Sequence, residues 1–338
     1  MASTSVVVSC YNKKDTIARC LESLLAQKNK PDEITVVDDG STDGSQDILR
    51  RYSSFVRVIL SSHRGISATK NRGYTESSGD VILFVDGDCV LENNYLVELS
   101  RLLSAGDVDC IGGELRALNR GLIARSVEFM QNEVQRKWPF GANVAYTRRA
   151  LKASGSFSVE MTAGEDAELY LRILKLGFKS RMVPSILART VNPSNLLRFI
   201  VQRFVWGTGF RQLTEKHPET FTRKIRECFA SMGSMLVIFA ISPLDARLLA
   251  LSAMMLLYNF IRFVPGTLPI YRRTKDMRAC AFIPTLRFLN ALCYLFGWSY
   301  WTILELLGKK MRMKPFEATS AAIDIVGMPG PSPQSKAP

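Results

Sequence analysis

The 338-residue chain predicts an α/β fold: a doubly wound, mostly parallel sheet, followed by amphipathic and transmembrane or membrane-associated helices. Three observations predict it. Short β-branched runs alternate with segments of helical apolar spacing through the first quarter of the chain. Two of those runs end in acids, at the sheet edge where open parallel sheets bind ligands. Beyond residue 228 the chain becomes strongly apolar while gaining positive charge.

Each element follows from its own pattern. SVVVSC (5–10) is strand-length and β-branched; Asp15 is placed to cap a helix whose Ile17, Cys20, Leu21, Leu24 and Leu25 recur at helical spacing. EITVVDDG predicts a strand ending in Asp38 and Asp39, then a helix opened by Thr42 or Asp43. VRVIL (56–60) predicts a third strand, residues 65–76 a third helix, and DVILFVDGD (80–88) a fourth strand ending in acids. From 107 to 184 the pattern is mixed: a strand around Cys110, an irregular stretch through Trp138-Pro139-Phe140-Gly141, a strand at 143–147, and a helix from Glu165 to about Leu176 closed by Gly177. Residues 194–213 are amphipathic and suited to a membrane interface. The apolar runs 229–244 and 248–264, divided by Pro243, Asp245 and Arg247, read as a partly inserted helical hairpin, each slightly short of the roughly 20 residues that span a bilayer. Residues 288–307 are long enough to span.

Charge decides which partners are plausible. A net charge of +13 and a pI near 9.5 admit nucleic acid, an anionic membrane or a polyanionic small substrate. From Phe229 onward there are twelve Lys and Arg against five Asp and Glu, interleaved with apolar runs, which points to phospholipid and away from nucleic acid. Basic clusters at Arg223, Lys224 and Arg226, at Arg272, Arg273, Lys275 and Arg278, and at Lys309, Lys310, Arg312 and Lys314 flank the apolar runs. The first two fit a hairpin that returns to the cytoplasm; the third leaves the number of crossings open. Seven scattered cysteines, none spaced C-x-x-C, argue against a disulfide framework or zinc site and for reduced thiols. The first apolar run is too short for a secretory signal, so the N-terminal part is expected in the cytoplasm and the chain at the cell membrane, hairpin-anchored or multi-pass.

Asp86-Gly87-Asp88 is the sharpest chemical signal: two carboxylates one residue apart after an apolar strand can present oxygens to one hard divalent cation that in turn binds a diphosphate. Solvated acids in a simple turn are the plain alternative, but a second acidic strand end, Asp38-Asp39-Gly40, precedes it. No G-x-x-x-x-G-K-[ST] loop is present, so phosphate would be met by metal and basic side chains.

VVVSCYNKKDTIARCLESLLAQ, EITVVDDGSTDGS, RGISATKNRGYTESSGDVILFVDGD, FGANVAYTRRAL and GEDAELYLRILKLGF occur in that order and together resemble the inverting glycosyltransferases of family 2, with the GT-A fold. The resemblance covers residues 5–189. It implies a nucleotide-diphosphate sugar donor, UDP- or GDP-linked, and a divalent metal, Mn2+ or Mg2+. It places Ser9, Tyr11, Asp38 and Asp39 at the base and ribose, and Lys70 at the nucleotide, where the family usually has arginine. Asp86 and Asp88 match the metal-binding D-x-D, and Asp166, beside Glu165, matches the general base. The bland reading of Glu165 and Asp166 is that they favour the positive end of a helix dipole. Asn143 falls on the acceptor and sugar side.

Two departures matter. A histidine that many relatives carry shortly after the strand ending near Arg189 is missing, which puts the third protein metal ligand in doubt. Residues 202–206 partly resemble the Q-x-x-R-W of processive synthases, but Val205 replaces the arginine, so Trp206, the remaining acceptor-side candidate, reads first as an interfacial aromatic. The expected organisation is a catalytic domain at 1–190, an amphipathic helix and basic linker at 191–228, membrane helices at 229–308 and a disordered cytoplasmic tail at 309–338. The expected activity is metal-dependent transfer of one sugar to a polyprenyl- or dolichyl-linked acceptor. The alternatives are a processive polysaccharide synthase, which too few spanning segments disfavour, and a non-catalytic sugar-nucleotide-binding membrane protein.

Overall fold

A computed structural model describes residues 2–104, 108–135 and 141–307; the expected irregular stretch at Trp138-Pro139-Phe140 and the tail from 309 lie outside them. Eight strands, β1 (Thr4–Cys10), β2 (Glu33–Asp38), β3 (Arg57–Leu60), β4 (Val81–Asp86), β5 (Val90–Leu91), β6 (Cys110–Ala117), β7 (Asn143–Thr147) and β8 (Ser180–Thr190), form one sheet in the order β3-β2-β1-β4-β7-β6-β8-β5. β1 to β4 and the β6–β8 pair are parallel where they meet; β7 runs antiparallel to both β4 and β6, and β5 to β8. The parallel half is thus closed by an antiparallel strand whose N-terminal end, Asn143, lies at the edge where β4 ends.

Alternation along the strands divides the core between two faces. Val6, Val8, Leu83 and Val85 pack with Ile17, Leu21 and Leu24 of α1 (Ile17–Leu25), Leu49 of α2 (Ser45–Arg51) and Tyr95, Leu96 and Leu99 of α4 (Tyr95–Ser104). Val7, Ile82, Phe84, Val144 and Tyr146 pack on the other face with Leu151 of α6 (Arg148–Ser154) and with Leu169, Tyr170 and Ile173 of α7 (Glu165–Lys175). α3 (Ile66–Glu76) shares that second face, its Gly73 pressed so closely on Val7 that no larger residue fits without a shift.

Two expected caps differ from the structure. α1 begins after Thr16, and Asp15 stays exposed, because Thr16 is drawn to the Gly87 carbonyl, 3.0 Å from its Oγ1. α2 follows Gly44 in a left-handed conformation, although Asp43 Oδ1 accepts from the Ser45 amide at 2.9 Å.

Beyond the sheet, α5 (Leu122–Gln135) packs through Val127 against Phe199 of α8 (Leu196–Lys216) and Leu286 of α12 (Met277–Leu306). α8 starts at Asn195, whose side chain accepts from the Arg198 amide at 2.9 Å. α9 (Arg223–Ile241) and α10 (Ala246–Ile261) form the hairpin expected from the two apolar runs, and α11 (Leu268–Thr274) leads into α12. Among the described residues two stretches are long and apolar enough to cross a membrane, Ala246–Thr274 and Met277–Leu306. The second is longer than the expected 288–307 run, and its buried residues Cys280, Ile283, Leu286, Cys293 and Gly297 make it a docked helix along one face.

Candidate active site

The C-terminal edge of β1, β2 and β4 gathers the acids that the strand ends carry. Asp86, the last residue of β4, accepts from Ser9 Oγ at 3.1 Å, joining the ends of β4 and β1. Gly87 then passes so near Ser9 that a Cβ would lie 3.0 Å from its carbonyl oxygen, so the turn needs glycine. Asp88 forms an ion pair with Lys13, on the loop after β1, and its Oδ1 accepts from Thr190 Oγ1 at 3.4 Å. Thr190 ends β8, close to the position where a histidine was expected. Burial opposes the Lys13 charge, but the Asp88 carboxylate outweighs it and holds the ammonium well above its ordinary range.

On the other side of Asp86 lies Lys70, 4% exposed. Its Nζ is 3.7 Å from Asp86 Oδ1 and 2.9 Å from Glu165 Oε1, and it stands over the Phe157 ring, 5.4 Å from the centroid. Burial works against this ammonium too; Asp86, Glu165 and Asp166 together overcome it, and it stays protonated. The contact is built by α3: Asn71, next in sequence, binds the Phe157 amide at 2.9 Å and its carbonyl at 2.8 Å, drawing the segment before α7 onto α3.

α7 opens at Gly164, whose φ of 75° is left-handed, and its first turn carries Glu165, Asp166 and Glu168. Asp166 accepts from the Ala167 amide at 2.8 Å. Burial first, then the Glu165 charge, raise its carboxyl from 3.8 to about 6, against the opposing pull of Lys70. An acid so placed holds or releases a proton near neutrality, as a general base must.

The expected nucleotide-side residues separate into two kinds. Tyr11 stacks on His63 with ring centroids 4.2 Å apart, which makes an aromatic platform at the end of β1. Asp39 accepts from the Arg64 and Gly65 amides at 2.7 and 2.9 Å and lies 2.9 Å from His63 Nδ1, so it orders the loop before α3. Asp38 is buried and serves its own loop, accepting from the Ser41 amide at 3.0 Å and from Gln46 Nε2 at 2.8 Å. Asn143 stands apart from the Lys70 cluster: opposite Val85, it points to the α4 face, and its 1% exposed side chain has no hydrogen-bond partner among the described residues. Trp206 is half-buried on α8, its ring covered by Arg203.

Among the described residues no three His, Cys, Asp or Glu side chains converge as a metal-binding group. Asp86 and Asp88 still offer hard oxygens of the kind Mg2+ and Mn2+ prefer, so the donor set fits a divalent ion whose remaining ligands would be phosphate oxygens and water. Sequence reasoning missed Lys13, Thr190, His63 and Arg203. Lys13 alone left a legible signal, a lysine in the first loop at the acid-bearing edge.

Comparison with known proteins bears on the family and the fold. The model for glycosyl transferase family 2 matches residues 5–144, and that for glycosyl transferase family group 2 matches residues 81–300. Similar curated proteins include the glycosyltransferase AglE of Haloferax volcanii, 29% identical over 52% of this chain and 62% of its own length. An N-acetylglucosaminyltransferase of Azorhizobium caulinodans is 28% identical over 60% of this chain and 58% of its own. A cholesterol galactosyltransferase of Borreliella burgdorferi is 30% identical over 32% and 31%. The chain thus spans about three fifths of the length of the first two relatives. A mannosyltransferase from Pyrobaculum calidifontis, solved with GDP-Man and Mn2+, shares the GT-A fold with a TM-score of 0.59, 18% identity and 88% of each chain covered.

Proposed function

The chain belongs to the family 2 glycosyltransferases, and on that premise we propose that it transfers one sugar, with inversion, from a UDP- or GDP-linked donor to a hydroxyl of a polyprenyl-linked acceptor. The observation that carries this reading is Lys70, which ties the strand-end acid Asp86 to Glu165 beside Asp166 within one charge cluster. Donor-side and acceptor-side chemistry thereby meet at one sheet edge.

In this reading Tyr11 and Asp39 flank the base, and Ser9 and Asp86 the ribose. Asp86 and Asp88 would hold Mn2+ or Mg2+, which when bound offsets the charge of the departing diphosphate. Asp166 takes the acceptor hydroxyl's proton while the new oxygen–carbon bond forms at the anomeric carbon. The bond to phosphate breaks on the opposite face, and its electron pair leaves with the nucleoside diphosphate. A single displacement of this kind inverts the anomeric centre. Lys70 pairs with Glu165, and the carboxyl raised to about 6 is that of Asp166.

The acceptor assignment draws support from the exposed apolar residues of α9 and α10, Val237, Phe239, Met254 and Leu257 among them, which suit a bilayer surface. A relative named for transfer to cholesterol and a neighbour solved with GDP-Man and Mn2+ are consistent with it. The test is thermal stabilisation of the full chain by nucleoside diphosphates with and without Mn2+ or Mg2+. Stabilisation by one nucleoside diphosphate that depends on metal is expected; folded protein indifferent to every nucleotide would overturn the reading.

A further inference from the structure

Helix α8 carries a buried cation, Arg203, for which no counter-ion is present among the described residues. Arg203 is 5% exposed, yet its Nε and Nη2 groups have no hydrogen-bond partner, and among the described residues no carboxylate pairs with it. Phe199 and Trp206 instead turn ring faces to the guanidinium, with centroids at 5.0 and 4.1 Å. Tyr294 of α12 lies within electrostatic reach of it. A guanidinium keeps its proton and offers five donors in a rigid fork, so holding it out of water with donors unmet is costly unless an anion arrives.

Its surroundings indicate which anion. Tyr294 lies within electrostatic reach of Asp166 as well as of Arg203. α8 is braced against the loop that opens α7: Gln212 Oε1 accepts from the Thr162 amide at 2.8 Å, and a Cβ on Gly209 would collide with the Ala163 carbonyl. Arg203 is thus carried by the helix that braces the loop before the proposed base and leads from the sheet toward the apolar hairpin. Lys13 and Lys70 already face the acids of the donor side, which leaves the unmet charge of Arg203 for the acceptor.

We propose that Arg203, with Tyr294, binds a substrate phosphate, that of a phosphorylated lipid acceptor whose hydroxyl is presented to Asp166. This rests on the function proposed above. Phosphate oxyanions also occur in the donor diphosphate, and the experiment separates the two sources. Full-length protein in detergent micelles, as wild type, R203M and R203K, is titrated with farnesyl diphosphate, farnesol and a nucleoside diphosphate plus Mn2+, and the melting temperature is read throughout.

The wild type is expected to bind farnesyl diphosphate at least about tenfold more tightly than farnesol. R203M loses that preference, R203K keeps part of it, and nucleoside diphosphate affinity stays within about twofold. Unliganded R203M melts no lower than wild type, because methionine of similar length removes an unpaired buried charge. A loss confined to the nucleoside diphosphate would transfer the phosphate to the donor and overturn the acceptor assignment. Unchanged affinity for both ligands, with a lowered melting temperature, would make Arg203 a packing cation and overturn the phosphate site. Binding of farnesyl diphosphate through Arg203 by a protein that binds no nucleoside diphosphate would uphold this inference while the donor reading falls.

Discussion

Asp166 and Lys70 define what single side chains do here. Asp166→Asn removes the proposed base without changing the volume of the site, and kcat is expected to fall by about a hundred to ten thousand fold while the donor KM changes little; steady-state kinetics checks this. The base must be ionised and its carboxyl is raised to about 6, so kcat/KM is expected to fall as the pH drops through about 6 and to level off above it. For stability the sign is opposite. Between 3.8 and about 6 the folded chain holds this proton more tightly than the unfolded chain, so the group's stabilising contribution is present at low pH and lost as pH rises. Asp166→Asn is therefore expected to melt higher than wild type at pH 7. Lys70→Met leaves the buried Glu165 and the half-buried Asp86 without their shared cation, and a loss of about 3 kcal/mol in urea unfolding is expected. It also takes away the charge that opposes the Asp166 shift, so the pH midpoint of any residual activity should move upward.

At the scale of elements, the approach of α8 to its neighbours sets the shape of the proposed acceptor side. Gly297 of α12 meets the Phe204 carbonyl, and Gly207 of α8 meets Tyr294 backbone, so these two helices cross in contact. A side chain at either position forces them apart. Gly297→Val is expected to cost about 1–3 kcal/mol by overpacking, read as a lower melting temperature, and to move Tyr294 with it. Gly209→Ala is the more selective variant, because its added methyl meets the Ala163 carbonyl just before Glu165. It is expected to lower kcat more than stability, and comparing turnover with the melting curve of the same sample tests that.

The whole molecule places an apolar helical layer after a catalytic sheet. Met254 and Leu257 are exposed on α10. Replacing both by glutamate is expected to release the protein from anionic vesicles in flotation without lowering its melting temperature in detergent. Retention on the vesicles would move the membrane contact to α12 or to the basic clusters.

Periodicity and β-branching were enough to read β1 to β4, β7 and α7 from the sequence, because strand alternation and helical spacing are local properties. The same locality made Asp86 and Asp88 legible as candidates, since they flank a glycine where a strand ends, whereas Glu165 and Asp166, opening a helix after Gly164, were legible through the resemblance to family 2. What no local pattern contains is which termini meet. Lys70 reaches Glu165 across 95 positions and Lys13 reaches Asp88 across 75, and only the crossing of α3, α7 and the sheet decides those pairs. Thr190 near Asp88, the turn of Asn143 toward the α4 face and the unpaired Arg203 under Trp206 belong to that class too. The sequence by itself determined the elements and the kind of chemistry, since backbone propensity and side-chain type are read one segment at a time. The tertiary structure alone decided which charges neutralise each other and which one is left waiting for an anion, since burial and distance arise only when segments far apart in the chain are packed together.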